Sequence, residues 1–365
     1  MSAEFTRPAE FGDRYVWNPA ADDVRLARAC VDLKAGLHRA AGEVLGESRS
    51  CGGGAGVGVA VDAIGGAGIG VGGDIDVGID AGRGPGRVDS ALRAHRSLVL
   101  AAAAADSDAA EQWAARDPGP DALLLLARTA AVRALCAADR GDWRAAKLAE
   151  IAAAACERAA GAAPDDPVPL VVKLSLARLS TAPAAASASG RGPSAARADL
   201  RAAAWELFRR ITELDPDNRE AHHRLLALHF ARHGGSAAEM WETAWSIADR
   251  VAPDSELALL PFVALAEDAR EQPDAPGRWA DQDWRRAAIA VYRSWFPRVA
   301  QYRYTPVVDL SYLGHALAMG RLSEARHVLG AMGPFATTAP WDLHGDPEAA
   351  LTEARRRLGL RVPVL

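Results

Sequence analysis

Three histidines, His222, His229 and His233, come nearest to chemistry by type and spacing. A helix advancing 100° per residue would set them within about 40° of one another on one face. His229 and His233 stand at the i, i+4 spacing with which two imidazoles chelate a transition metal, and His222 or Glu239 offers a third ligand. The same rings can instead pack, hydrogen-bonded, between helices. A metal-binding protein or metal-dependent enzyme is therefore the alternative reading, and packed histidines the main one. Gly68-Ile69-Gly70-Val71-Gly72-Gly73 spells GxGxxG, yet Asp74-Ile75-Asp76-Val77-Gly78 after it starts no helix that could receive a pyrophosphate. Asp74, Asp76 and Asp80 form a single irregular copy of a Gly-Asp calcium repeat, too little for a stacked site. None of the lysines Lys34, Lys147 and Lys173 follows a glycine, which excludes a Walker A loop, and no HExxH or GxSxG is present. Asp281 and Asp283 beside Trp284 read as a helix N-terminus rather than a metal pair. With no complete catalytic constellation, neither catalysis nor a cofactor is expected.

Composition narrows the remaining classes. The 365 residues carry a net charge of -5, with 50% hydrophobic residues dominated by alanine. That balance lacks the basic excess of a nucleic-acid binder. Apolar runs such as 98–105 and 122–127 fall well short of the ~20 residues that span a bilayer, so no membrane partner is expected. Cys30, Cys51, Cys136 and Cys156 show no CxxC spacing or disulfide framework, which suits reduced thiols and a cytoplasmic setting. Met1 to Pro8 has no apolar segment of signal-peptide type. The arginine and alanine excess runs along the whole chain, as coding bias would produce, and Arg355-Arg356-Arg357 reads as a solvated helix end. Ten tryptophans are few but large. Trp143, Trp205, Trp241, Trp245, Trp284 and Trp295 are the expected anchors between alanine-lined helices.

The elements that must carry these residues are helical. Residues 1–50 hold an irregular start and a first helix near 21–45, weakened by Gly36 and Gly42. Residues 51–87 are Gly-rich and low in complexity, and disorder is expected there, although Val57, Val59, Val61, Ile69, Val71, Ile75, Val77 and Ile79 fall on odd positions as in a strand. Residues 88–365 form a helical array, with surface inserts at 181–196 and 271–280. Helices are expected near 88–105, 107–116, 121–138, 143–160, 167–180, 197–214, 219–232, 237–251, 255–270, 282–296, 307–319, 322–332 and 347–358. Asn218 is the expected N-cap after Asp215-Pro216-Asp217, and Ser236 with Glu239 has capping-box spacing. Pro216 and Pro253 are 37 residues apart, as are Pro297 and Pro334. From Pro164 to Pro216 is 52, about 36 without the insert. A fixed period of this size predicts an all-α helix-hairpin solenoid with a long Gly-rich loop.

The segment Leu214 to Gly235 resembles a tetratricopeptide repeat. Pro216-Asp217-Asn218 matches that family's linker, Leu225 its leucine position, and His222 and His229 stand where it prefers Trp and Tyr. Arg140-Gly141-Asp142-Trp143 and Leu313-Gly314-His315-Ala316-Leu317 are further partial matches. His222 through Met240, with Gly234-Gly235-Ser236 and Glu239-Met240, also resembles a bacterial tetratricopeptide-like family of unassigned activity, His233 replacing its Trp. The resemblance covers 120–335 and implies a superhelix whose concave groove receives a peptide or protein segment. It places His222 and His229 at helix–helix packing positions, and Glu220, His223, Ala227 and Phe230 on the groove face. There an acid, an imidazole, a gap and an aromatic suit a peptide; the plainer alternative is a solvated helix face with one exposed Phe. The expected function is a protein-interaction scaffold.

Overall fold

The computed structural model describes residues 15–17, 20–50, 89–179, 193–272 and 278–361. Among them the regular structure is helical, apart from one isolated parallel bridge between Val16 and Phe335. The helices are α1 (Val24–Lys34), α2 (Arg39–Ser50), α3 (Ser90–Ala104), α4 (Ala109–Arg116), α5 (Pro120–Asp139), α6 (Ala145–Ala162), α7 (Val168–Leu176) and α8 (Pro193–Leu214). They continue with α9 (Arg219–Ala227), α10 (Ala237–Ala248), α11 (Leu260–Glu271), α12 (Gln282–Ser294), α13 (Val307–Met319), α14 (Ala325–Ala331) and α15 (Pro347–Arg357). The Gly-rich stretch, with its GxGxxG and alternating apolar residues, lies outside the described residues. So do most of the first insert and the middle of the second. Residues 193–196, expected in the first insert, already belong to α8.

Helix ends follow local chemistry. Side-chain oxygens of Asp23, Asp89, Asn218 and Asp346 accept from backbone N–H groups three residues on, at 2.8–3.0 Å. Each satisfies a donor the first turn leaves open. Ser236 accepts from Glu239 N at 3.3 Å and starts α10. Several boundaries differ from expectation, and two of them matter for the site. The helix expected over 21–45 is two helices, because the chain turns at Gly36, whose φ of 77° is left-handed and closes α1. The helix expected over 219–232 ends at Ala227. His233 Nδ1–H donates to the Ala227 carbonyl at 2.7 Å, supplying the partner that a fifth residue's amide would otherwise provide, and 231–233 form a 3-10 turn.

Packing runs mostly between sequence neighbours: α1 on α2, α5 on α6, α6 on α7, α7 on α8, α9 on α10, α10 on α11, α12 on α13 and α13 on α14. Four buried arginines, Arg93, Arg96, Arg128 and Arg355, show that the arginine excess is not merely compositional. Arg93 donates to Asp166 at 2.6 Å and to the Leu45 carbonyl at 3.1 Å, tying α3 to α2 and to the start of α7. Arg355, expected on a solvated helix end, donates to the carbonyls of Leu329 and Gly333 at 2.9 Å. Arg356 and Arg357 are exposed and pair with Glu353.

The tryptophan expectation holds only in part. Trp295 is fully buried and Trp284 packs against Trp241, Trp245 and Phe262. Trp143 is 88% exposed on the turn before α6, and Trp205 and Trp245 are also exposed. The fully buried Trp341 and the buried Trp113 are anchors that spacing did not reveal.

The two ends of the described chain meet. Val16 N donates to the Pro334 carbonyl at 2.8 Å, and Ala336 N donates to the Val16 carbonyl at 3.1 Å. Tyr15 is buried in the same core as Trp295 and Trp341. Asp22, just before α1, accepts from Thr305 N and Oγ1 at 2.9 and 2.7 Å, just before α13. Because α3 also touches α9, elements far apart in sequence surround a common space.

Candidate functional site

That space is a cavity of ≈190 Å³. Its walls come from four helices and the segments that join their ends. On α3 the stripe Ala91, Ala94, His95, Leu98 and Val99 faces it, the i, i+3, i+4 spacing of one helical face. On α9 the contributors are Arg219, Glu220, His223 and Arg224, again one face, fixed in register by the Asn218 cap. Val263 and Glu267 face it from α11, and Val308, Asp309 and Tyr312 from α13. Trp17, Phe230, Tyr304, Thr305 and Thr337 complete the lining among others.

The charged groups around the cavity are closed on one another. Arg128 Nη1 and Nη2 donate to the two Glu220 oxygens at 2.6 and 2.7 Å, and Arg224 Nη2 adds a bond of 2.8 Å. Burial alone would push the Glu220 carboxyl up, but the two guanidiniums outweigh it and hold it down at about 2. Arg219 grips Asp309 with two bonds of 2.8 and 2.6 Å, a planar fork on a carboxylate. Burial opposes its charge, yet Asp309 raises the guanidinium above its ordinary range. Glu267 accepts from Arg232 at 3.1 Å, with Arg270 at 3.6 Å. Fixed guanidinium–carboxylate sets of this kind specify geometry more than they add stability, since desolvation offsets most of their attraction.

The histidines are different. His223 is 4% exposed, and its Nε2 is buried with no hydrogen-bond partner. Burial, then the Arg219 and Arg224 charges, pushes its imidazolium form far out of reach, well below 6.5. His95 stacks on Tyr304 with ring centroids 4.3 Å apart and planes 5° from parallel. Its Nε2 is also buried and unpartnered. Burial lowers it to about 4, the Arg219 and Arg96 charges adding to the shift while Asp23 and Asp22 oppose it. Both rings are neutral at pH 7, so each carries one N–H donor and one nitrogen acceptor. Burial also drives the Tyr304 phenol upward, so it stays protonated.

The four residues placed on a groove face divide as follows. Glu220, His223 and Phe230 line the cavity, whereas Ala227 lines a small neighbouring pocket with Arg178, Phe230 and His233. All four are buried, so the solvated-face alternative is wrong. The metal set His222, His229, His233 and Glu239 is not brought together. His222 Nδ1–H donates to the Asn218 carbonyl at 2.9 Å, and the ring meets Phe208 edge-on at 4.9 Å. His233 spends Nδ1 on Ala227, and Arg178 Nη1 lies 3.3 Å from its Nε2. His229 Nδ1 is 4.0 Å from Glu239 Oε2, and Glu239 is held by Arg201 and Ser236. The physical reason is the early end of α9, which takes His229 and His233 off the helical face that their spacing implied. Among the described residues no group of three His, Cys, Asp or Glu side chains could hold a metal ion.

Thiol chemistry is equally poorly served. Cys30, Cys136 and Cys156 are free, and burial raises Cys30 to about 11 and Cys156 to about 12, far from a thiolate at neutral pH. No described helix is long and apolar enough to cross a membrane. No protein-family model, curated protein or solved structure matches this chain, so function must be argued from its residues.

His95, Tyr304, Arg219 and Asp309 were not singled out by spacing. The α3 stripe is visible as helical periodicity. Nothing local pairs it with a face on α9 or with residues near 305, because those contacts cross more than a hundred positions of chain.

Proposed function

We propose that this chain is a tetratricopeptide-like helical repeat protein that binds a peptide or protein segment without catalysing a reaction. The observation that carries the reading is the lining contributed by α9 and the turn after it. Three residues that the repeat resemblance assigns to the groove, Glu220, His223 and Phe230, line the cavity, which α3, α11 and α13 complete. Two further facts support it. Sequence neighbours such as α5 and α6 pack on each other across a short turn. In the Leu313-Gly314-His315 match, a Cβ on Gly314 would lie 2.5 Å from Leu329 Cδ2, so α13 and α14 approach as closely as small-residue repeat positions allow. The net charge of -5 favours a protein partner over a nucleic acid, and the free thiols suit a reducing, cytoplasmic compartment.

Selection of a displayed random-peptide library on the full chain tests this, with Ala91→Trp as control. Ala91 is exposed at the cavity wall, so the larger ring blocks entry without disturbing the core. The expected result is a consensus segment that binds the parent chain and loses at least tenfold in affinity on Ala91→Trp. No enrichment, or equal binding to both proteins, would refute the reading.

A further inference from the structure

We infer that the cavity takes one uncharged aromatic ring bearing a hydroxyl, the chemistry of a tyrosine side chain. The inference deepens the peptide-binding reading and rests on it only for where the ring comes from.

Three observations converge on that ligand. The first is size and lining. A cavity of ≈190 Å³ compares with the ~150 Å³ apolar cavity that accepts benzene, leaving space for a ring and one or two further atoms. Phe230, Val263, Val308, Tyr312 and Leu98 supply apolar wall on several sides, as a ring requires.

The second is charge. The nearby carboxylates Glu220, Asp309 and Glu267 already have guanidinium partners, as the distances above show. A cation would find no free carboxylate, and an anion would have to share guanidiniums already bonded to Glu220 and Asp309, so either would carry a desolvation cost that is not fully compensated. An uncharged ligand avoids that cost.

The third is the pair of unused ring nitrogens. His223 lines the cavity and its Nε2 is a buried polar atom without a hydrogen-bond partner, and His95 does the same from the α3 side. Leaving a buried polar atom unpaired costs about 1–3 kcal/mol, so a ligand that pairs it gains more than its bond alone. Whether Nε2 carries the proton or the lone pair, a hydroxyl can serve it, because a hydroxyl both donates and accepts. An apolar ring without the hydroxyl leaves the nitrogen unpaired.

The test titrates the full chain with p-cresol, toluene and p-toluate, following the imidazole ¹⁵N signals of ring-labelled histidine. The expected result is p-cresol binding about tenfold tighter than toluene, with the Nε2 signal of His223 or His95 moving for p-cresol alone. p-Toluate is expected to bind more weakly than p-cresol. Equal binding of toluene and p-cresol, preferred binding of p-toluate, unmoved Nε2 signals, or no binding by any of the three, as for a cavity that holds only water, would overturn the inference. His223→Phe keeps a ring and removes the nitrogen, and should abolish the preference for p-cresol over toluene. Should that variant not fold, the ¹⁵N shifts of the parent chain decide alone. N-acetyltyrosinamide separates the sources: tighter than p-cresol assigns the ring to a peptide segment, weaker assigns it to a free phenol. A failed peptide library with p-cresol still bound would remove the peptide reading and leave the cavity chemistry standing.

Discussion

Acidification should unfold this protein through its histidines before its carboxylates matter. Burial lowers His95 and His233 from 6.5 to about 4. It lowers His222, His223, His229, His315 and His344 in the same direction. For a histidine held neutral in the fold, the unfolded chain binds the proton first. Stability is then fully present above about pH 6.5 and is lost as the pH falls toward the folded value. One pH unit of difference is worth 1.36 kcal/mol, so His95 and His233 each contribute about 3 kcal/mol between pH 6.5 and 4. A domain is stable by only about 5–15 kcal/mol, so these two suffice to bring it near unfolding at pH 4. The groups facing His95 are Asp22, Asp23, Arg96 and Arg219, of both signs, and burial remains the largest effect. Glu220, held at about 2, acts in a separate window: its contribution is present above 4.5 and disappears only as the pH falls toward 2. Urea unfolding followed by circular dichroism at pH 7.5, 6.5, 5.5 and 4.5 measures the slope. His95→Phe should lessen it by about one proton. A stability constant to within about 1 kcal/mol from pH 6.5 to 4.5 would refute the reasoning, because it would require these rings to be solvated.

Three further outcomes follow from the same geometry. Glu220→Gln leaves Arg128 and Arg224 without their carboxylate and should cost about 3–5 kcal/mol, read as a lower urea midpoint. Trp295→Ala empties a fully buried site and should cost about 3–5 kcal/mol, whereas Trp143→Ala, on an exposed turn, should stay within about 0.5 kcal/mol. Met or Leu at Asp309 removes the carboxylate that Arg219 grips, and the tyrosine-type ligand should then lose its discrimination against p-toluate, as seen by competition binding.

Much of the helical layout was legible from local chemistry. The N-caps Asn218 and Ser236 stand where short polar residues precede apolar periodicity, and α13 has its expected bounds. What misled was local too. A smooth run of helix-compatible residues hid the end of α9, because a side chain, His233, caps the Ala227 carbonyl from six positions downstream. The early end of α9 dissolved the metal face, which depended on an unbroken helix from His222 to His233. Tryptophan spacing could not tell Trp295 from Trp143, since burial depends on whether another helix covers the ring. Glu220, His223 and Phe230 of the cavity lining could be picked out because the repeat resemblance assigns positions along one helix. Their partners on α3 and before α13 could not, because a contact such as Asp22 with Thr305 leaves no periodic trace.

Whether the cavity under α9 receives a segment of another protein is decided by mapping a library-selected peptide onto the ¹⁵N-labelled full chain. Amide and imidazole shifts are expected only in Ala91–Val99, Arg219–Phe230 and Tyr304–Tyr312, and are expected to be absent in Ala91→Trp. Shifts clustered instead around exposed Trp143 or Trp205, with the α9 signals unmoved, would contradict binding in the cavity.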